Sequence, residues 1–534
     1  MRSTSPWRFR LYIQAAIILV AATCAISSAA ADVRLHNVFG DHMVLQRNQP
    51  IPVWGWATPG EKVSVTFGDH TASATTNAQG YWKVTLEAMK ADTTPRELIA
   101  KGNNTVKVVD IVIGDVWLCS GQSNMAFGMG ACRAEEDIKN TDLPMVRYRA
   151  YFECFAAKPN ADLPAGNWHR IHPSTSASCS GVGFYFGRKI FKETGVPIGL
   201  LESTVGGTEI ECWMPPESFR DCPKCSSIGK QLEEAVAQYK EKLPTAVEAM
   251  EQWIGPAKKA LAEGREIPQP PRIPLHPNVD RGGRWVRIQS LYNGMIHPLL
   301  KFPIKGAIWY QGENNGREGD QYIDKKRAMI DSWRKLWGHE FPFYFVQLAA
   351  WREPSDDPSG SEEGFQMLRD AQRKCLAIPK TGMAVSIDVG EVVSIHPKNK
   401  LDVGERLALW ALAKDYGKTD LVHSGPLYRN AAVEDGKIRI SFDHVGGGLM
   451  VGRKEGRKPT VEDAGGKLKR FAIAGEDKKW VWADAVIDGD TVVVSSPQVP
   501  KPVAVRYAFS MNPQGCNLYN KEGLPASPFR TDEW

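Results

Sequence analysis

Four short polar segments each follow an apolar run, and between them they hold the residue types that acyl transfer needs. Gly121-Gln122-Ser123-Asn124-Met125 comes directly after Val116-Trp117-Leu118-Cys119. A serine on a tight strand-to-helix turn exposes its hydroxyl at the C-terminal edge of a sheet, and N–H groups opening the next helix can stabilise an oxyanion there. Gly121 permits the sharp turn. Gly206-Gly207-Thr208 follows Ile198-Gly199-Leu200-Leu201, and paired glycines let backbone approach a ligand and present an N–H. Gln311-Gly312-Glu313-Asn314-Asn315 follows Ala307-Ile308-Trp309-Tyr310 and offers amides that can donate to developing negative charge. His396 lies beyond the run Met383 to Ile387 and before a helix starting near Leu401. A histidine there can take a serine proton and return it to a leaving group.

Each segment also has an ordinary structural use. Serine caps helices, paired glycines make plain turns, asparagines populate polar loops, and most histidines are structural. The order of the segments, each at a strand end, is what joins them.

The elements that would position them alternate in type. Ile111-Val112-Ile113, Val116 to Cys119, Ile198 to Leu201, Ala307 to Tyr310, Phe343 to Val346 and Met383 to Ile387 are continuous apolar runs, as in strands buried on both faces of a parallel sheet. Helical patterns lie between them, at Val182 to Glu193 and Tyr322 to Trp337. The expectation is an α/β, three-layer domain over residues 111–425. Residues 215–284 read as an insertion, helical and charged and then Pro-rich, that could overhang the site. Residues 32–110 carry short runs broken at Gly60, Gly68 and Gly80 and read as an N-terminal β-sandwich. Residues 426–534 return to strand texture and read as a C-terminal β domain.

Residues 1–31 read as a secretory signal peptide: Arg2, Arg8 and Arg10, then an apolar run from Leu11 to Ile26, then Ala29-Ala30-Ala31. The expected destination is secreted or otherwise extracytoplasmic, with no membrane span left after its removal. A hydrophobic content of 43% and 17 Trp in 534 residues exclude disorder on a large scale. The formal charge of +5 falls to +2 without the leader, so nothing asks for a nucleic-acid partner. Nine cysteines remain after Cys24 leaves, an odd count that requires an unpaired thiol unless a second chain supplies a partner. Cys222-Pro223-Lys224-Cys225 suits a local disulfide, and no second pair has the spacing of a zinc site.

The segments and their flanks resemble the SGNH/GDSL hydrolase superfamily and, more closely, the sialate O-acetylesterase family and related carbohydrate acetylesterases. The likeness rests on Gly114 to Met125, Gly206 to Trp213, Leu291 to Ile296, Ile308 to Asn315 and Ile395 to Lys400, and extends to Asp41 to Gln46 and Asn517 to Asn520. It implies a Ser123 nucleophile and a His396 general base. It also implies an oxyanion hole from the N–H groups of Ser123 and of Gly206 or Gly207, with an amide near Gln311 or Asn315. Asn314 stands where the family often has serine. The resemblance implies an acetylated carbohydrate substrate, an acetyl-enzyme, and no metal or other cofactor. The sugar stays open between sialic acid, xylan and other glycans, and a non-catalytic carbohydrate-binding protein on an esterase scaffold is the alternative. Many members place an aspartate two residues before the histidine, where this chain has Ser394. Asp388 and Glu391 are then the nearby carboxylates that could orient His396, and a Ser–His dyad is the other option.

Overall fold

The computed structural model describes residues 32–152, 154–279, 288–360 and 364–534. The expected signal peptide, 1–31, lies outside the described residues, as do residues 280–284 of the insertion.

The chain is a mixed α/β structure with further antiparallel sheets toward its C-terminus. Parallel strands run in the order Leu143–Phe152, Ile198–Thr204, Thr105–Gly121, Gly306–Tyr310, Phe343–Gln347, Thr381–Val385, and His169–Ile171 pairs antiparallel with the first. Continuous apolar sequence here means burial on both faces: Val116, Trp117, Leu118 and Cys119 are all fully buried. Gly306 is opposite Trp117 in register, so Trp309, an odd number of residues further on, points to the other face. Trp117 packs edge-on against Phe186 of the helix Gly181–Thr194, with centroids 4.9 Å apart. Trp309 meets Trp333 of the helix Gln321–Trp337 at 6.0 Å. Each tryptophan thus anchors one helix on the sheet.

The helix ends follow local chemistry. Ser180 Oγ accepts the Gly183 N–H at 3.1 Å to cap Gly181–Thr194, and Gly195 closes it at φ +68°. Asn399 caps Lys400–Asp415 through the Asp402 N–H at 3.2 Å. In the insertion one helix runs Ser226–Ala262, preceded by the Cys222–Cys225 disulfide.

Chain contacts divide the protein into two units. The smaller holds 52–86 and 97–107 with the described residues up to 36, and contains the hairpin Lys62–Phe67/His70–Thr75 and the pairing of Arg34 with Trp56 and Leu35 with Gly55. Residues 37–51 and 87–96 cluster with the larger unit. The sequence explains the first of these: Met43, Val44 and Leu45 are consecutive buried residues, and Val44–Gln46 pairs in parallel with Val112–Gly114. The runs on either side of Asp110, which the sequence suggests are separate, form one strand, Thr105–Gly121. Asp110 interrupts its extended geometry with φ +57° and is held by Arg147 and Arg170.

Within the larger unit, the C-terminal strands Leu427–Glu434, Lys437–Asp443, Thr491–Ser495 and Asp484–Asp488 form one sheet, and Trp480–Trp482, Phe471–Gly475, Pro502–Tyr507 and Phe529–Arg530 another. They share a core of Ile438, Ile440, Ile473, Val492, Val494 and Val505. Arg369, fully buried in the α/β part, donates to the carbonyls of Ser510 at 2.7 Å and Met511 at 2.9 Å. That stitches this β region to the sheet that carries the site.

Candidate active site

Three adjacent strands stop level with one another. Gly121 is opposite both Thr204 and Tyr310 in register, so the turns that follow them emerge side by side. Gly121 has φ +132°, and a Cβ there would lie 2.2 Å from the Tyr310 carbonyl oxygen, so only glycine fits. Ser123 opens the single turn Ser123–Ala126. Gly206 abuts it: a Cβ on Gly206 would lie 3.3 Å from the Ser123 Cβ. Among the described residues, the N–H groups of Ser123, Gly206 and Gly207 have no hydrogen-bond partner, and Gly206 is the glycine packed against the serine.

His396 comes from the loop between Thr381–Val385 and the helix Lys400–Asp415, and its Nε2 lies 2.8 Å from Ser123 Oγ. The ring stacks on Phe127, 5.7 Å away and 16° from parallel. Ser394 fixes the backbone instead of the ring: its hydroxyl accepts the His396 N–H and faces the His396 carbonyl, each at 3.1 Å. Burial, and after it the positive charge of Lys400, push the imidazole below its ordinary value. Both favour the neutral ring that can accept a proton.

The structure does not bring Asp388, Gln311 or Asn315 to this pair. Asp388 is nearly fully buried in an ion pair with Arg406, at 2.6 and 2.8 Å, and Tyr519 adds a hydroxyl at 3.4 Å. Its oxygens are committed away from His396. Glu391 accepts the Lys398 N–H at 2.8 Å and does not bond the imidazole either. Among the described residues none bonds His396 Nδ1. Gln311 is fully buried, and its amide N–H groups go to the Thr208 carbonyl at 3.1 Å and to Asn315 Oδ1 at 2.6 Å. Asn315 gives its own to Glu211 at 3.1 Å and Glu318 at 2.9 Å. Neither has a hydrogen left for an oxyanion. Asn314 does: one N–H reaches the Gly207 carbonyl at 3.1 Å, and the amide is half-buried beside the glycines.

Two further residues lie in this site that fall within the matching segments but receive no role from the sequence. Asn124 directly follows the serine, and its side chain reaches Glu313, the Ile395 carbonyl and Lys400. Lys400 ends the segment that begins at Ile395 and opens the helix Lys400–Asp415, and it is fully buried. A cavity of about 410 Å³ is walled on one side by the loop after Tyr310, and neither Ser123 nor His396 lines it. It meets the site through Glu313 and Asn314, and its far walls include Trp351, Arg352, Phe365 and, from the insertion, Ile228.

A hydroxyl bonded to an imidazole at that edge of an α/β sheet is the arrangement that carboxylic ester hydrolases use. The comparisons with known proteins agree. The family model described as carbohydrate esterase, sialic acid-specific acetylesterase matches residues 113–253 and 280–412. The sialate O-acetylesterase of Mus musculus is 28% identical over 571 aligned residues, covering 96% of this chain and 97% of that protein. The sialate O-acetylesterase of Homo sapiens is 28% identical, with 94% and 93% covered. The crystal structure of a carbohydrate acetylesterase from Xanthomonas citri is 35% identical, with a TM-score of 0.77, covering 94% of this chain and all of that one. The chain belongs to the carbohydrate esterase family of sialic acid-specific acetylesterases, and is a carboxylic ester hydrolase.

Proposed function

We propose that the protein is a serine esterase that removes O-acetyl groups from a carbohydrate, on a three-layer SGNH-type domain. The contact that carries this reading is Ser123 Oγ to His396 Nε2 at 2.8 Å. Ser123 attacks the acetyl carbonyl as its proton passes to Nε2. The N–H groups of Ser123 and Gly206 take the oxyanion, with Asn314 the side-chain amide able to add a third donor. The tetrahedral intermediate collapses to an acetyl-enzyme as the imidazolium protonates the departing sugar oxygen. Water then gives a proton to His396 and attacks the acetyl carbonyl, and the second collapse releases acetate and restores Ser123. The 410 Å³ cavity, with Trp351 and Phe365 in its walls, is roomy enough for the sugar.

The family match and the mammalian relatives favour an O-acetylated sialic acid as substrate. The Xanthomonas neighbour keeps other acetylated glycans in the screen. Export is part of the reading and is supported by the basic, apolar, small-residue order of residues 1–31. The test is acetate release from a small acetyl ester, then from acetylated sialic acid and acetylated xylan, by the parent and by Ser123→Ala. The expected loss in the variant is at least about a thousandfold. Equal, near-background rates in both would remove the catalytic assignment and leave a binding role on an esterase scaffold.

A further inference from the structure

Among the described residues no carboxylate bonds His396, yet its Nε2 sits at hydrogen-bonding distance from Ser123. Something else must hold two loops in register, one after Gly121 and one before Lys400. Asn124 bridges them. Its Nδ2 donates to the carbonyl of Ile395, the residue before His396, at 3.0 Å, and to Glu313 Oε1 at 2.5 Å. Its Oδ1 accepts from Lys400 Nζ at 2.5 Å. With two acceptors on the nitrogen and an ammonium on the oxygen, the amide has one sensible orientation, and both of its hydrogens are used. Asn124 is 2% exposed. Its neighbours in sequence and space are the nucleophile on one side and the histidine loop on the other.

We propose that Asn124 is a positioning residue: it clamps the serine turn to the histidine loop and so does the geometric part of the work of an orienting acid, with Lys400 and Glu313 fixing its amide. Lys400 is suited to this. It is fully buried, its ammonium lies 5.0 Å from the centroid of the Phe127 ring, and that ring is the one stacked on His396. Lys400 thereby supports the imidazole through both its neighbours. The charged groups around this cluster are Lys400 on the helix, Glu313 on the loop after Tyr310, and Glu391 on the histidine loop. Oε2 of Glu313 is buried and unpartnered among the described residues, so this carboxyl has one oxygen committed to Asn124 and none to a cation.

The proposal rests on the Ser123–His396 reading, and its test separates the two. Parent, Ser123→Ala, Asn124→Ala, Lys400→Met and the Asn124/Lys400 double variant are assayed on a small acetyl ester, with folding checked by circular dichroism. Asn124→Ala should lose about a hundredfold in kcat with KM changed less than about twofold, because misplacement by about an ångström costs that much. Lys400→Met should lose about tenfold alone but less than about twofold when added to Asn124→Ala, since it acts through that amide. A purely structural role would lower the active fraction without this non-additivity. If Asn124→Ala does not fold, the isosteric Asn124→Asp takes its place: it still accepts from Lys400 but cannot donate to Ile395, and the same kcat loss is expected. A kcat within about threefold of the parent, or equal Lys400→Met losses in both backgrounds, would overturn the clamp while Ser123→Ala stays inactive. Retained activity in Ser123→Ala would instead overturn the reading beneath it.

Discussion

The turns after Gly121 and Tyr310 leave the sheet side by side, and Ser123 on the one and Gln311 and Asn315 on the other are treated in opposite ways. The first leaves the Ser123 hydroxyl half-exposed and, among the described residues, bonded only to His396. The second buries Gln311 and Asn315 completely and ties them into a network that ends on Glu211, Glu318 and Lys325. A buried amide must have its hydrogens satisfied, so what makes Gln311 and Asn315 structurally secure also makes them unavailable to a substrate. Reactivity here belongs to the turn whose groups are left open.

The hardest test of that contrast is at the open turn. His396→Ala should lower kcat on a small acetyl ester by roughly a thousandfold or more, with the thermal midpoint close to that of the parent, because the ring sits at the surface of the site. Steady-state rates and a melting curve check it together. A small loss would make the second turn the place to look for the base.

Asp388→Asn asks whether a carboxylate near the histidine acts on it. Paired to Arg406, Asp388 should reveal itself as structure: a loss of about 3 kcal/mol of stability, measured by denaturant titration, with the pH profile of the remaining activity unchanged. A rate loss of several hundredfold in a fully folded variant would put Asp388 back behind His396.

At the closed turn, Asn315→Ala should cost about 2 kcal/mol, since it takes the acceptor from the Ile210 N–H and from one Gln311 Nε2 hydrogen and removes one donor each from Glu211 and Glu318. The active fraction should keep its kcat. A selective kcat loss without destabilisation would mean that Asn315 reaches the oxyanion after all.

Much of this was legible in the residues. Continuous apolar runs marked the parallel strands because burial on both faces leaves no room for alternation, and Ser123, Gly206 and His396 stand at strand ends as their types suggest. What sequence could not supply was the direction of side chains within one loop. Gln311, Asn314 and Asn315 are three amides within five residues, and only packing selects Asn314 as the one with a hydrogen to offer. Asp388 read as a partner for His396 from proximity in the chain, but Arg406, one helix later, holds it. The burial of Lys400 was not legible either, because it is imposed by Phe127, Tyr310 and Asn124, which come from elsewhere in the chain.

The smallest effect is a displaced pH midpoint. His396 must be neutral to accept the serine proton, so kcat/KM falls on the acid side as the ring is protonated. Burial, and then the Lys400 ammonium, hold the ring below its ordinary 6.5. The acid limb of a pH–rate profile on a small acetyl ester should therefore have its midpoint below 6.5, and activity should be kept into mildly acid solution. Lys400→Met removes a positive charge beside the ring, and removing it favours the imidazolium, so the midpoint should move up. The same variant also lowers the plateau by loosening Asn124, but plateau height and midpoint are read separately from one profile. Glu313 and Glu391 are the opposing charges in this cluster, and Glu313→Gln should move the midpoint the other way or leave it in place. A parent midpoint at or above 6.5, unmoved by Lys400→Met, would show that the imidazole does not feel the buried ammonium beneath it.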